Sequence, residues 1–249
     1  MSNDKELDRL KKRVDALEHE LGIQRDIHDI RRLQYAYGYF IDKCMYDETV
    51  DLFADDGEVW FMNGIFKGRA GVKRLYIDRF RANFTGNRNG PVPGFLLDHP
   101  QLQAIIDVAP DGKTAKVRAR STMQAGRHKD FSDPDRFGWK ARQWWEGGIY
   151  ENRYVKENGV WKIKVLNYRP FWHADFETGW ANSPARYVPP FEKTFPEDPL
   201  GPDELMTESR ELWPNTDVVP FHYVHPVTGK AIEVPESIPL DSGWTPDDV

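Results

Sequence analysis

The chain has 249 residues, 39% hydrophobic and 30% charged, with a formal net charge of −6. That length fits one large domain, or a core of about 150 residues with polar extensions, and the acidic balance argues against nucleic acid as the main partner. The one cysteine, Cys44, excludes an internal disulfide and fits a reducing, cytoplasmic setting, while no apolar leader or membrane-length apolar run marks secretion or a membrane span.

Residues 3–21 place Leu7, Leu10, Val14, Leu17 and Leu21 at alternating spacings of three and four. That is an a/d seam of just over two heptads, expected to end at Gly22. A lone helix of this length is marginal in water, so it must pack on its own subunit or on the same helix of a neighbour. The opposite face (Lys5, Asp8, Lys12, Asp15, His19) is fully polar, which points to self-association as a dimer or trimer. The expected organisation is an oligomerisation helix over 1–22, a core domain over 23–176 and a proline-rich arm over 177–249.

Within the core, helices are expected over 24–43 and 46–54, a short strand over 58–62 and a third helix from Gly68 to about Phe84. A Gly/Asn-rich loop over 85–94 then leads to long strands near 95–108, 114–127, 143–157 and 160–172. Pro110-Asp111-Gly112 and Glu157-Asn158-Gly159 read as hairpin turns. The segment 129–140 is long enough to be a lid or an interface. Twelve of the eighteen prolines fall between Pro184 and Pro246, without sustained periodicity. Trp213, Phe221, Tyr223 and Trp244 in that segment favour an arm laid on a surface over a disordered tail, and a neighbouring subunit is the expected surface.

Asp42 stands among Tyr37, Tyr39, Phe40 and Ile41 on an apolar run. A carboxylate there must be hydrogen-bonded, paired or used, which makes it the first candidate for acid/base chemistry. Tyr35 and Tyr39 read as packing residues. Five motifs occur in order: Tyr37-x4-Asp42, Phe53-Ala54-Asp55-Asp56-Gly57, Phe66-Lys67-Gly68-Arg69, Asp111-Gly112-Lys113-Thr114-Ala115 and Gly159-Val160-Trp161-Lys162-Ile163. Over roughly residues 24–173 they resemble the SnoaL-like branch of the NTF2-like superfamily. The resemblance implies an α+β cone-shaped barrel, with three helices packed on a strongly curved mixed sheet, extended here by an N-terminal helix and a C-terminal arm. It also implies that Tyr37 and Asp42 face the open end of the cone.

Dehydratase-type members of that branch carry a general-base histidine about four residues before the Asn-Pro or Thr-Pro of the first long strand, and Phe95 stands where it is expected. His99 follows four residues later, on the same side of a strand as Phe95 and Leu97. Either His99 takes the base role, for which histidine is suited near neutral pH, or the Asp–His pair is absent and a tyrosine, lysine or arginine substitutes. His128 and His173 are further histidines near the expected mouth. Arg169, after Tyr168 on the last strand, is a candidate for binding a phenolate or an oxyanion. Phe95, Trp144, Trp145, Tyr168, Trp172 and His173 are candidate substrate-binding residues for a flat apolar ligand. No metal-ligand spacing, nucleotide-binding glycine motif or nucleophile elbow is present, so no metal and no cofactor are expected.

The function expected from these residues and the resemblance is a cofactor-independent lyase on a small hydroxylated aromatic substrate. One form is carbon–carbon cleavage of a lignin-derived diarylpropane-type diol with release of formaldehyde, using Asp42, Tyr37, His99 and Arg169. The alternatives are a dehydratase or isomerase of an aromatic, polyketide or steroid substrate with His99 as base, and a non-catalytic binding module.

Overall fold

The computed structural model describes residues 2–131, 143–183, 190–208, 210, 212–240 and 242–243. Trp244 and most of the expected lid lie outside the described residues. Helix α1 (Ser2–Asp42) is continuous over 41 residues and passes through Gly22. A single glycine costs a helix only about 1 kcal/mol, and no proline reinforces a stop there. The second half of α1 buries Asp26, Ile30, Gln34, Tyr37 and Ile41, whereas the seam of the first half is exposed.

A short helix α2 (Tyr46–Asp51) leads into strand β1 (Phe53–Phe61). The helix ends earlier than the sequence implied because Phe53 already pairs with Ile163 of the sheet. After β2 (Gly64–Lys67), helix α3 (Gly68–Lys73) widens into a π-helical segment, Arg74–Arg81, and closes as α4 (Ala82–Thr85). Gly86, at φ 60°, terminates it in the left-handed conformation that glycine adopts without strain.

Strands β3 (Phe95–Asp98), β4 (Gln101–Val108), β5 (Thr114–Arg127), β6 (Gln143–Glu157) and β7 (Val160–Asp175) supply most of the sheet. With β8 (Glu204–Leu205) the order is β3-β5-β6-β7-β1-β2-β8, and β4 also pairs with β5. Among the described residues, only β1–β7 is a parallel pairing. The expected strand over 95–108 is broken at His99-Pro100, since proline has no N–H for the ladder. That break turns His99 out of the ladder and toward α1. The result is the α+β architecture expected, with few helices packed on a strongly curved mixed sheet that does not close. Tyr37, Phe53, Phe66, Leu75, Tyr150 and Ile163 are part of the core between them.

The described residues of the arm lie on their own subunit, where the expectation was an arm that wraps a neighbour. β8 extends the sheet beyond β2, and Asn63 makes paired hydrogen bonds with the Phe191 backbone at 2.7 and 2.8 Å. Farther along, Arg210 donates to the Tyr168 carbonyl and to Asn167 Oδ1, and Arg118 donates to the Val219 and Pro220 carbonyls. Phe221 and Tyr223 cover the Arg118 guanidinium. The arm can dock there because Arg118 and Arg169 project from the sheet face opposite the core.

The tightest anchor is Arg74, whose side chain is 7% exposed. Both its terminal nitrogens donate to Asp203 Oδ1, at 3.0 and 2.7 Å, while Asp203 Oδ2 accepts the Lys67 N–H and the Phe195 ring covers the guanidinium. Asp203→Ala leaves this cation buried and unpaired. Urea denaturation is expected to show a loss of about 3 kcal/mol, against well under 1 kcal/mol for removing the exposed Lys193–Glu197 pair.

Candidate active site

The helices and the concave side of the sheet enclose a cavity of about 90 Å³ open to water-sized molecules. At one end is the C-terminus of α1. Asp42 Oδ1 accepts the His99 backbone N–H at 3.0 Å and also makes a short contact with His99 Nδ1. A carboxylate accepting from Nδ1–H fixes the imidazole tautomer and leaves Nε2 as the nitrogen free to meet a ligand. The pair is largely withdrawn from water, with side-chain exposures of 5% for His99 and 14% for Asp42.

The sequence builds this contact through a buried amide relay. Gln34 on α1 donates to Gln101 Oε1 at 2.6 Å, and Gln101 donates to the His99 carbonyl at 3.0 Å. Asn152 in turn donates to Gln34 Oε1 at 2.8 Å and accepts the Asn167 N–H at 2.9 Å, which ties α1 to β6 and β7. Gly38 permits the approach, because a Cβ there would stand 2.8 Å from Gln101 Cγ.

The walls are aromatic. The Tyr37 ring meets His99, Tyr76 and Tyr150 edge-on, and its hydroxyl lies 3.1 Å from that of Tyr76. Burial pushes the Tyr37 hydroxyl up to about 12, partly offset by the hydrogen bond to Tyr76. Burial likewise holds Tyr76, Tyr150 and Tyr168 well above the usual phenol range. These hydroxyls are therefore hydrogen-bond donors near neutral pH, not bases. Among the described residues, no lysine or arginine lines the cavity. Of the basic groups that the sequence offered, only His99 is on the cavity wall.

A second acid–imidazole pair occupies the β6–β7 side. Glu146 lines the cavity and accepts the Tyr168 hydroxyl at 2.9 Å. Its Oε2 lies 3.0 Å from His173 Nε2, an ion-pair distance not aligned as a hydrogen bond. The two residues face each other in register across the strands, beside a bulge at Gly147-Gly148. A Cβ on Gly148 would stand 2.4 Å from the Arg169 carbonyl, so the close strand approach depends on that glycine.

The expected site residues therefore divide. Asp42, His99, Tyr37 and Tyr168 come together, with Phe95 and Trp144 on the same cavity. His173 sits behind Glu146. Arg169 points to the opposite face, where both terminal nitrogens donate to Glu208 of the arm at 3.1 Å. Strand alternation likewise sends Trp145 outward into a cluster with Trp172, Phe176 and Trp180. His128 is exposed beside Asp130. Glu146, Tyr76 and Tyr150 were not singled out in the sequence. Glu146 alternates with Trp144 along β6, so period-two reading from a cavity tryptophan was the available signal.

A family profile described as a SnoaL-like domain matches residues 24–167, more than half of the chain, and the chain belongs to that family. Among solved structures it is similar to a candidate scytalone dehydratase from Novosphingobium aromaticivorans, at 22% identity and a TM-score of 0.47, over 70% of this chain and 97% of that one. An NTF2-like protein with a cystatin-like fold from the same organism gives 18% identity and 0.43, over 66% and 90%. A type 2 hexachlorocyclohexane dehydrochlorinase (LinA) gives 17% and 0.43, over 63% and 90%. Comparison with curated proteins finds no match. Among the described residues, no helix is long and apolar enough to cross a membrane, and no cluster of three potential ligands could hold a metal ion.

The buried tyrosines carry a pH signature. Because the Tyr37 pKa rises from 10.0 to about 12, the folded chain keeps a proton that the unfolded chain releases. Its contribution to stability is complete below pH about 10 and is lost as pH rises through about 12. Urea denaturation between pH about 10 and about 12 is expected to show falling stability, with a shallower fall in Tyr37→Phe.

Proposed function

We propose that the chain is a cofactor-independent lyase that carries out base-initiated elimination on a small hydroxylated aromatic or polyketide-type substrate. The observation that carries this reading is the Asp42–His99 pair, with its free imidazole nitrogen beside a cavity lined by neutral tyrosines. Asp42 orients His99 and stabilises the imidazolium that forms when Nε2 takes a proton from carbon. As the new double bond forms, the C–O bond breaks, and the imidazolium returns the proton to the departing hydroxyl, which leaves as water. The Tyr37 and Tyr76 hydroxyls share one hydrogen bond, so in this reading one of them donates to substrate oxygen, and the enclosed apolar walls strengthen that bond. Phe84, Phe95 and Trp144 offer faces for a flat ring.

Carbon–carbon cleavage with formaldehyde release from a diarylpropane-type diol is the second reading. The same base would take a hydroxyl proton, and the aromatic lining suits the rings. Dehydration is placed first because the Asp42–His99 pair supplies the base that an elimination needs, beside tyrosine hydroxyls that remain protonated.

The test incubates the purified protein, without added cofactor, with one-ring hydroxylated aromatics, hydroxylated polyketides and diaryl diols, followed by mass spectrometry. Loss of water is the expected result. Loss of CH2O would move the assignment to the second reading, and ligand-induced thermal stabilisation with no turnover would make the cavity a binding site. Asp42→Asn and His99→Gln are each expected to lower turnover by about 10² to 10⁴ with the near-ultraviolet circular dichroism unchanged. Turnover retained in both would remove the pair from the mechanism.

A further inference from the structure

The exposed apolar residues of α1 share one direction. Leu7, Leu10, Val14, Leu17 and Leu21 are each about half exposed, and Tyr35 and Tyr39 are exposed farther along. At about 100° per residue, all seven fall within one quadrant of the helix. The stripe that α1 buries, Asp26 through Ile41, is centred about 180° away. A straight helix cannot turn both faces to one domain. The seam is therefore directed away from its own subunit, and no described residue covers it.

We propose that α1 pairs with α1 of a second copy as a parallel, in-register, two-stranded coiled coil centred on residues 7–21. Leu7, Val14 and Leu21 take the a positions, and Leu10 and Leu17 the d positions. Leucine at d with valine at the central a position favours two strands. The flanking charges select the partner and its direction. In a parallel pair each g residue faces the e residue five positions later in the other chain. Glu6 then meets Lys11 of the partner subunit, Arg13 meets Glu18 of the partner subunit and Glu20 meets Arg25 of the partner subunit. All three are opposite in sign, and symmetry repeats each of them. Glu6, which is 3.8 Å from Arg9 within its own helix, is solvent-exposed and free to turn.

Antiparallel registers do worse. The one that best stacks the seam sets Arg13 against Arg13 of the partner subunit and Glu6 against Glu20 of the partner subunit. Shifting by one heptad restores charge complementarity but leaves Leu7 opposite Gln24 of the partner subunit. Only the parallel register satisfies all five seam layers and all three charge pairs. It also sets the two cavity domains on outer sides of the paired helices, because the stripe that each α1 buries lies about 180° from its seam.

Sedimentation equilibrium of the full chain is expected to give twice the 29.0 kDa chain mass. Leu10→Glu combined with Leu17→Glu, both at exposed sites, is expected to give a monomer with the same thermal unfolding of the domain. Arg13→Glu is expected to weaken the dimer about tenfold by opposing Glu18 of the partner subunit, and adding Glu18→Arg is expected to restore it. Leu10→Cys is expected to form a covalent dimer on mild oxidation, which an antiparallel pairing would not, with the unmodified chain and its buried Cys44 as control. A monomer at all concentrations, a trimer, or a dimer that survives the Leu10/Leu17 double change would overturn the proposal. So would a Leu10→Cys dimer that fails to cross-link.

Discussion

The hydrogen bonds from one strand break to the Asp42 carboxylate organise the molecule. Asp42 ends a 41-residue helix, and His99 sits where proline interrupts the ladder between β3 and β4. A carboxylate drawn out of water must recover its lost hydration from donors. Here the donors are the backbone and ring of a single residue, so satisfying Asp42 also fixes where the sheet meets the helix. Gln34, Gln101, Asn152 and Asn167 carry that constraint outward, each occupied by another member of the set. The imidazole is thus held by a network whose main task is to satisfy buried amides.

Much of the fold was legible because its signals are local. The glycine turns at Gly112 and Gly159, the strand alternation and the Tyr37–Asp42 spacing each require only a few neighbouring residues. The boundaries that moved did so through long-range pairing. Phe53 left the expected end of a helix for β1 because Ile163 offers it a ladder partner. α1 ran past Gly22 because one glycine between two good helical stretches is too weak a signal to end it.

The candidate site shows the same division. Asp42 stood out because a buried acid is costly wherever it occurs. Its partnership with His99 stood only as one of two alternatives, since 57 residues and a proline-induced turn separate them. Arg169 and Trp145 show the opposite limit. Their residue types suit a pocket, but strand alternation places them on the outer face, and the face each strand turns inward depends on the Gly147-Gly148 bulge. Glu146 was passed over because an acid in a strand ordinarily reads as solvent-facing. Its burial becomes intelligible only with Tyr168 and His173 around it.

The docked arm has a consequence for how this chain divides its labour. Arg118, Arg169 and Arg210 are already occupied by carbonyls and carboxylates within one chain. The sheet's outer surface is thereby largely committed to an internal guest. What remains is a one-dimensional code written along an emergent rod, whose letters are leucines and alternating charges. The cavity, by contrast, is a three-dimensional arrangement that tolerates little rewording. Under the proposed pairing of α1, partner choice rests on the first 25 residues, which lie apart from the residues around the imidazole.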